Sequence, residues 1–399
     1  MVSRRHARRL LPFVTIFVLI YISFPHLYYC SDYIRQTNPF SGQRAIEQPF
    51  TTTSEEIVCL LGHFGPRSLG SPSFHERLLT KDPELIPGPN IVHFIYGLSN
   101  PHSDPSAGHF DFLSYLALRA AFISLQPTVL KLHYTYLSSP PSLDPNADPL
   151  SNPWIRRLKE TWPTQFELVH HPPPPPSDAG KDTNKKNKKK TTKSQYAHMS
   201  DTLRLQILYD EGGIYLDTDV FAVRNFSDIL LHPPLDGKDV VLGYEGGNRW
   251  GLCNAVIVTR RPGAGFIKRW LDSYKDVDLE KEAWNYRSVR LPKILAEERE
   301  FRDKERDVCA LPPHAFFWPT WTWRHVEWMH TEVKTERERI YLEGNIEKYG
   351  GGLFKAQMAY HAWSQMAWDR YLKYLTPEVI RTKDTPFNLL VRRFVEDDL

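Results

Sequence analysis

The stretch DEGGIYLDTDV, residues 210–220, combines two glycines, a short apolar run and two closely spaced carboxylates. The apolar run 214–216 is typical of a buried strand, and Gly212 and Gly213 indicate the end of a helix before it. Asp217 and Asp219 then lie where the strand leaves the core. Two carboxylates so close together repel each other unless a cation or a polar ligand is present. The stretch therefore predicts a ligand site at a strand end.

Strands and helices alternate on both sides of this stretch. The patterns predict strands at 90–97, 129–136, 166–171, 239–245 and 254–260, and helices at 111–125, 194–211 and 265–274. Such alternation indicates an α/β fold with a mostly parallel sheet that is covered on both faces. Ligands bind these sheets at the carboxyl ends of the strands, which is where the two aspartates are expected.

The chemistry of the two aspartates favours a hard divalent cation. In an extended chain, side chains two residues apart point to the same face, so Asp217 and Asp219 are expected to reach one position. Carboxylate oxygens suit Mg²⁺ or Mn²⁺, whose remaining positions are usually filled by substrate phosphates. A lone Asp-x-Asp is more often a solvated turn. Upstream, however, Asp201 and Arg204 share a helix face, where they form either a surface salt bridge or a second part of the same site.

The whole string MSDTLRLQILYDEGGIYLDTDV, residues 199–220, resembles the signature of the glycosyltransferase family 32 type, the DxD-containing sugar transferases. Members include α-1,4-galactosyl- and α-1,4-N-acetylglucosaminyltransferases and fungal α-1,6-mannosyltransferases. The matching elements are Ser-Asp-x-x-Arg, a Leu, and Gly-Gly-x-Tyr-x-Asp-x-Asp, and the resemblance covers roughly residues 90–170 and 194–370. It implies a GT-A catalytic domain, the Rossmann-like α/β fold of nucleotide-diphospho-sugar transferases.

The resemblance implies a role for each matched residue of the central motif. Asp201 would hydrogen-bond hydroxyls of the donor sugar, and Arg204 would contact that sugar or its phosphates. Asp217 would touch the ribose or the sugar, directly or through the metal. Asp219 would be the main protein ligand of Mn²⁺ or Mg²⁺. These four residues are the predicted catalytic set.

Weaker matches extend the predicted donor site. Asn254, in GLCNAVIV, matches a family asparagine near the donor sugar. In AYHAWSQMAW, residues 359–368, His361 would complete the metal shell and Trp363 would lie near the diphosphate. Tyr96, at the end of the first strand, would meet the nucleotide base. A histidine among aromatic residues is otherwise common in a protein core.

Other residues of this region are assigned only by position. Residues 245, 249 and 250 follow a strand end and could border the acceptor, and the aromatic residues of 275–335 could stack on a sugar, although core packing is their commoner role. The residues of this group singled out are Glu245, Arg249 and Trp250.

The implied activity is metal-dependent, retaining transfer of a hexose from a nucleotide sugar to a glycan or glycolipid acceptor. The string GGIYLDTD is closer to the galactosyl and N-acetylglucosaminyl members than to the mannosyl ones, which favours a UDP-sugar over GDP-mannose. Retention requires either a carboxylate nucleophile, for which no residue stands out, or front-face attack in which the leaving phosphate accepts the acceptor's proton. Two other classes remain open: a metal-dependent nucleotide-sugar hydrolase, and an inactive membrane-tethered sugar-binding protein.

The N-terminus predicts membrane attachment. Four arginines precede an uncharged apolar run at 10–29, long enough to span a bilayer, and their charge should keep them cytosolic. We therefore expect a single-pass type II protein of the Golgi or ER membrane, with a cytosolic tail (1–9), a signal anchor (10–29), a stem (30–85) and a lumenal GT-A domain (86–399). A cleaved signal peptide is the competing interpretation.

Charge and cysteine usage narrow the remaining possibilities. The net charge of +3 hides a segmental distribution, because residues 171–193 hold seven lysines against two aspartates. The segment 172–193 is predicted to be a disordered Pro- and Lys-rich insertion. Without it and the N-terminal arginines the chain is acidic, which argues against nucleic acid as a partner. Cys253 and Cys309 could pair in an oxidising compartment or remain buried thiols, and Asn225 begins a glycosylation sequon.

Overall fold

The computed structural model describes residues 19–21, 23, 52–61, 90–100, 109–137, 148–172, 185–226, 239–275, 285–297 and 308–399. The predicted cytosolic tail, and most of the predicted signal anchor and stem, lie outside these residues. Within the described parts of the chain, no helix combines the length and the apolar character needed to cross a bilayer.

The core of the fold is a seven-stranded sheet with the strand order β3-β2-β1-β4-β7-β6-β8. A second sheet consists of β5 and β9. The strands are β1 (Ile91–Tyr96), β2 (Val129–Tyr134), β3 (Phe166–His170), β4 (Gly213–Leu216), β5 (Val220–Ala222), β6 (Val240–Glu245), β7 (Gly251–Thr259), β8 (Val308–Leu311) and β9 (Ala359–His361).

The large sheet is parallel except for one strand. β1 pairs in parallel with β2 and β4, β2 with β3, and β6 with β8, whereas β7 runs antiparallel to both β4 and β6. Only residues 246–250 join β6 to β7, and so short a link permits a hairpin but not a parallel crossover. The predicted α/β class is therefore confirmed, and the sheet is mixed.

Helices and coil cover both faces of the sheet, as predicted. The two hydrophobic clusters lie on opposite faces, one built around Val92, Phe94 and Leu116 and the other around Ile95, Leu208 and Trp270. The helices are α1 (Ser54–Leu61), α2 (Phe112–Leu125), α3 (Pro153–Thr161), α4 (Lys185–Glu211), α5 (Gly265–Asp272), α6 (Leu291–Glu297), α7 (Trp323–His330), α8 (Glu336–Lys348), α9 (Ser364–Ala367), α10 (Pro377–Thr382) and α11 (Pro386–Val391).

Helix α4 begins at Lys185, nine residues before the start predicted at Ser194. This helix includes the last part of the 172–193 insertion. Residues 173–184 lie outside the described residues, so the predicted disorder of the insertion stays a prediction. Lysine is a good helix former, and extending an existing helix avoids the cost of nucleation. The stable amphipathic part of α4 therefore propagates into the charged run.

A disulfide joins Cys59 of α1 to Cys309 of β8, and Cys253 is a buried free thiol. The alternative of a bond between Cys253 and Cys309 is wrong because β6 lies between their strands β7 and β8. Two strand spacings amount to about 9–10 Å, which exceeds the reach of a disulfide. Glu56 of α1 is buried and forms an ion pair with Arg249 in the β6–β7 turn. Part of the predicted stem is thus fastened to the sheet.

Reducing this disulfide should destabilise the protein. The bond closes a loop of 250 residues in sequence separation, and a native disulfide typically contributes about 2–4 kcal/mol, largely by restricting the unfolded chain. We expect a reductant to lower the melting temperature of the wild type and to leave that of Cys59→Ser unchanged. An equal melting temperature of the wild type with and without reductant would contradict a structural role for the bond.

Three histidines form a hydrogen-bonded chain across β1, β2 and the end of β3. His93 Nε2 lies 3.0 Å from the carbonyl oxygen of Gly212, His93 Nδ1 lies 3.1 Å from His133 Nε2, and His133 Nδ1 lies 2.9 Å from His171 Nε2. Because a carbonyl only accepts, each Nε2–H must donate along the chain toward Gly212. Burial lowers the pKa of His93 to about 4, against the opposing charge of Glu211, and burial together with the other histidines lowers that of His133 to about 2.

The buried histidines predict acid-sensitive stability. Between pH 6.5 and 4, histidine in the unfolded chain takes up protons that folded His93 and His133 do not, so stability falls as pH falls, by up to about 1.4 kcal/mol per pH unit for each. In urea unfolding at pH 7 and pH 5, His133→Gln should lose less stability than the wild type. The exposed His170→Gln is the control and should behave as the wild type. Equal losses in all three proteins would contradict the prediction.

Candidate active site

The predicted ligand residues follow β4 because glycines end α4 and start the strand. Gly212 and Gly213 adopt positive φ angles of 70° and 95°, a region that favours glycine. A Cβ at Gly213 would lie 2.4 Å from the carbonyl oxygen of Ile91, so only glycine lets β4 approach β1 this closely. The two glycines thus place Asp217 directly after the carboxyl end of β4, as the sequence predicts.

Asp217, Asp219 and His361 converge at this point. One potential ligand atom of each lies within 4.8 Å of the others. The aspartates lie in a turn after β4 rather than in an extended strand, since the amide of Val220 donates to the carbonyl of Asp217. β5 then pairs with β9, with Val220 opposite His361. The two-stranded sheet therefore brings together residues that are 142 positions apart.

Asp217 is oriented by two donors that leave one of its oxygens for a ligand. The Arg204 guanidinium donates to Asp217 Oδ1 at 3.0 Å and the Tyr215 hydroxyl donates to the same atom at 2.7 Å. Burial raises the pKa of Asp217, and the charge of Arg204 opposes that shift. With Oδ1 engaged, Oδ2 is the atom available on the side of the site.

Arg204 is enclosed by partners on all three of its nitrogens. Besides Asp217, it donates to the carbonyl of Asn254 at 3.0 Å, to the hydroxyl and carbonyl of Ser200, and lies 3.3 Å from Asp201. Asn254 Nδ2 in turn donates to Asp201 Oδ1 at 2.7 Å. Asp201, Arg204 and Asn254 are all less than 10 % exposed. They form a buried network behind Asp217, and their predicted contacts with a donor sugar or phosphate remain predictions.

Asp219 is held as a carboxylate by the C-terminal segment. Burial opposes its ionisation, but His361 and hydrogen bonds from His361 and Ser364 hold its pKa well below the usual range. His361 Nε2 lies 3.1 Å from Asp219 Oδ1, and the Ser364 amide donates to Oδ2 at 2.9 Å. Burial would lower the pKa of His361, but the charge and hydrogen bond of Asp219, together with the charges of Asp217 and Glu245, raise it above its usual value.

The side chains of Asp217, Asp219 and His361 form a ligand set that fits a divalent cation with oxygen and nitrogen ligands. It offers two carboxylates and one imidazole, a combination suited to Mn²⁺ and less to Mg²⁺. His361 is 6 % exposed, and its Nδ1 has no partner among the described residues. A ring with one nitrogen against Asp219 and the other unsatisfied is poorly paired without a ligand. Asp217, Asp219 and His361 are therefore the residues that would hold the ion.

A cavity of about 760 Å³ opens beside these residues. Its lining includes Asp217 and Asp219, together with Tyr96 and Asp111, the N-cap of α2. Its volume is in the range of small-molecule sites. The remaining lining residues are Ile95, His109, Leu113, Ser114, Ser200, Tyr215, Thr218, Ser364, Trp368 and Lys373.

Tyr96 and Trp363, the two remaining residues predicted to contact the nucleotide-sugar donor, lie in different surroundings. Tyr96 lines the cavity at the end of β1. Trp363 is 2 % exposed, packs 4.1 Å from His361 between ring centroids and donates its indole N–H to the Pro319 carbonyl at 2.9 Å. Trp363 thus supports His361 from the core, and its predicted position near a diphosphate remains a prediction.

Among the residues proposed to border an acceptor, two are already engaged within the protein. Glu245 is 5 % exposed, and burial raises its pKa against the opposing effects of Cys253 and His361. Arg249 pairs with Glu56. Neither lines the cavity beside Asp219.

Sequence reasoning missed the contribution of the C-terminal segment to the cavity. Ser364, Trp368 and Lys373 line it together with the aspartates. Ser364 could have been found, because it stands three residues after the predicted ligand His361. Lys373 carries no local signal, since its position depends on how the chain turns after α9.

Comparisons with known proteins agree with this geometry. The family described as a glycosyltransferase sugar-binding region containing a DXD motif matches residues 151–236. Glucan organizing enzyme 1 of Cryptococcus neoformans var. grubii is 31% identical over 316 residues, which cover 77% of this chain and 70% of that protein.

Solved structures of glycosyltransferases show a distant likeness. PaToxG glycosyltransferase is 16% identical with a TM-score of 0.35, over 57% of this chain and 75% of that one. GlyE of Streptococcus pneumoniae TIGR4 is 9% identical with a TM-score of 0.38, over 77% of this chain and 60% of that one. Likeness at this level supports no conclusion about this chain.

Proposed function

The chain belongs to the glycosyltransferases with a DXD-containing sugar-binding region, and from this premise we propose that it transfers a hexose from a nucleotide sugar to a glycan acceptor with the help of Mn²⁺. The observation that carries the proposal is the convergence of Asp217, Asp219 and His361 beside a cavity of about 760 Å³ that Tyr96 also lines. In the proposed binding mode, the base of the nucleotide sugar lies toward Tyr96 and its diphosphate toward the two aspartates.

Some residues of the site would bind the ion, and others fix the orientation of the side chains that bind it. Asp219, Asp217 through Oδ2, and His361 would hold the ion. Bound there, it would neutralise the diphosphate and help it to leave. Arg204 and Tyr215 fix the orientation of Asp217, and the Ser364 amide fixes that of Asp219. Because these partners are already in place, little reorganisation is needed when the donor binds.

We propose a UDP-sugar as the donor, with GDP-mannose second, on the resemblance of GGIYLDTD to the galactosyl and N-acetylglucosaminyl members. The stereochemistry proposed is retention. Of the carboxylates that line the cavity, Asp217 and Asp219 are assigned to the ion and Asp111 caps α2, so front-face attack, in which the leaving phosphate takes the proton of the acceptor hydroxyl, is the favoured route.

A glucan is the first acceptor class to examine, because a relative that spans most of this chain is named a glucan organizing enzyme. We further propose that the protein works in the lumen of the secretory pathway, anchored through 10–29. The disulfide between Cys59 and Cys309 supports an oxidising compartment, where such bonds persist.

The proposal is tested by donor turnover with the full chain in detergent and Mn²⁺. UDP-galactose, UDP-N-acetylglucosamine and GDP-mannose are each supplied with and without β-1,3- and α-1,4-glucan oligosaccharides, and nucleoside diphosphate release and product mass are measured. Acceptor-dependent release with a hexose added to the oligosaccharide supports transfer. Release at the same rate without any acceptor favours the hydrolase, and donor binding without turnover favours the sugar-binding protein.

A further inference from the structure

The cavity is lined by more acidic than basic side chains, and the residues predicted from the sequence do not supply the missing positive charge. Asp111, Asp217 and Asp219 line it, and a donor diphosphate would bring about two further negative charges, so that a bound divalent ion would offset only part of the total. Arg204 was the cation expected to meet the phosphates. All its nitrogens are engaged by Asp217, Asn254, Ser200 and Asp201, so it could reach a phosphate only by abandoning buried carboxylates.

Lys373 is the only Lys or Arg among the described residues that line this cavity. It lies in the turn Leu372–Tyr374, and Ser364 and Trp368 of the same C-terminal segment also line the cavity. Its side chain is 35% exposed, and its one ionic contact among the described residues is a 3.6 Å approach to Asp369, whose side chain is 93% exposed. A contact this exposed contributes little, so the ammonium group can exchange it for a ligand at small cost.

The backbone around Lys373 is fixed relative to the proposed ion. Ala362 donates its amide to the Asp219 carbonyl at 2.8 Å, and Ser364 donates to the Asp219 carboxylate. The Lys373 amide then donates to the Trp368 carbonyl at 3.2 Å, and Leu372 is buried in the core. Lys373 is therefore presented from a segment that is anchored at both ends.

We propose that Lys373 is a catalytic residue that binds the donor diphosphate and stabilises it as it leaves; this rests on the transferase function proposed above. In the transfer, the bond between the anomeric carbon and the diphosphate oxygen breaks, and its electron pair stays on that oxygen. The acceptor hydroxyl oxygen forms the new bond, and its proton passes to the diphosphate. Lys373 donates a hydrogen bond to the developing charge and keeps its own proton. An ammonium group on a flexible stem suits this role.

The test is nucleoside diphosphate binding by the full chain with Mn²⁺, measured by calorimetry with UDP and GDP and, for the matching nucleoside, by NMR. Lys373→Met should weaken binding of the diphosphate by about tenfold to a hundredfold, the loss of one charged hydrogen bond, and leave nucleoside binding unchanged. Lys373→Arg should recover most of the affinity. Lys355→Met, an exposed lysine outside this cavity, is the matched control.

Three outcomes are distinguishable. Diphosphate affinity of Lys373→Met within twofold of the wild type overturns the inference and leaves the transferase function standing. Equal losses for diphosphate and nucleoside assign Lys373 a structural role and also overturn it. Failure of the wild type to bind either diphosphate overturns the proposed function itself. Lys373→Gln gives the same comparison if the methionine variant does not fold.

Discussion

Replacing Asp219 by alanine is expected to reduce sugar transfer by about a thousandfold or more, since the change removes both a proposed metal ligand and a group that orients the others. Asp219 Oδ1 contacts His361 and Oδ2 accepts from Ser364. Without it, His361 loses its partner and the C-terminal segment loses a tie to the turn after β4. Mn²⁺ affinity, measured by electron paramagnetic resonance, should fall together with the turnover number.

The matched control is Asp369→Ala, because Asp369 follows the segment of His361 in the sequence but its side chain is 93% exposed. It should retain both activity and Mn²⁺ affinity. If Asp219→Ala kept the wild-type rate and its dependence on Mn²⁺, the assignment of the metal site would be wrong. Loss of activity with unchanged Mn²⁺ affinity would mean that the ion is held elsewhere.

Replacing Arg204 by methionine is expected to lower the free energy of unfolding by about 3–5 kcal/mol, the usual result of removing one partner of a buried ion pair. Arg204 is 6 % exposed and compensates Asp201 and Asp217 together. Methionine fills a similar volume, so the loss comes from two carboxylates left without a cation. Chemical denaturation of the wild type and the variant measures it.

Two further variants show whether charge is the cause. Arg204→Met combined with Asp217→Asn should recover part of the lost stability, because one uncompensated carboxylate is then removed. Arg261→Met removes an arginine whose side chain is 68% exposed beside Asp239. Because Asp239 also interacts with the charge of Arg260, it keeps a cation nearby, and the variant should cost less than about 1 kcal/mol. A loss for Arg204→Met as small as that of Arg261→Met would show that the network does not hold the site together.

Local sequence patterns were sufficient for most of the large sheet and for one half of the site. Strands β1 to β3 and helix α2 lie where periodicity and capping residues predict them, because their apolar faces are set by neighbours in the chain. The same is true of Asp217, which follows a buried strand after Gly212 and Gly213. The antiparallel direction of β7 could not be predicted from the list of strands alone. It follows from the short link between β6 and β7.

The parts that sequence reasoning missed depend on contacts between distant segments. Cys309 bonds to Cys59, 250 positions away, and no spacing rule connects the two. Lys373 reaches the cavity only because β9 pairs with β5 and the chain turns after α9. Arg204 was expected to contact the donor phosphates. Its position beside Asp201 and Asp217 instead gives it partners inside the protein. The i, i+3 spacing of Asp201 and Arg204 does not predict how many such partners there are.

The bond between Cys59 and Cys309 divides the predicted stem into two stretches that respond differently to a protease. A cut upstream of Ser54 would separate the whole catalytic domain, with α1 attached, from the predicted anchor and so allow shedding into the medium. A cut at 62–89 would break the backbone but leave the two fragments covalently joined. If the chain is anchored through 10–29 as proposed, the enzyme would then stay on the membrane, and the nick would show only on a reducing gel.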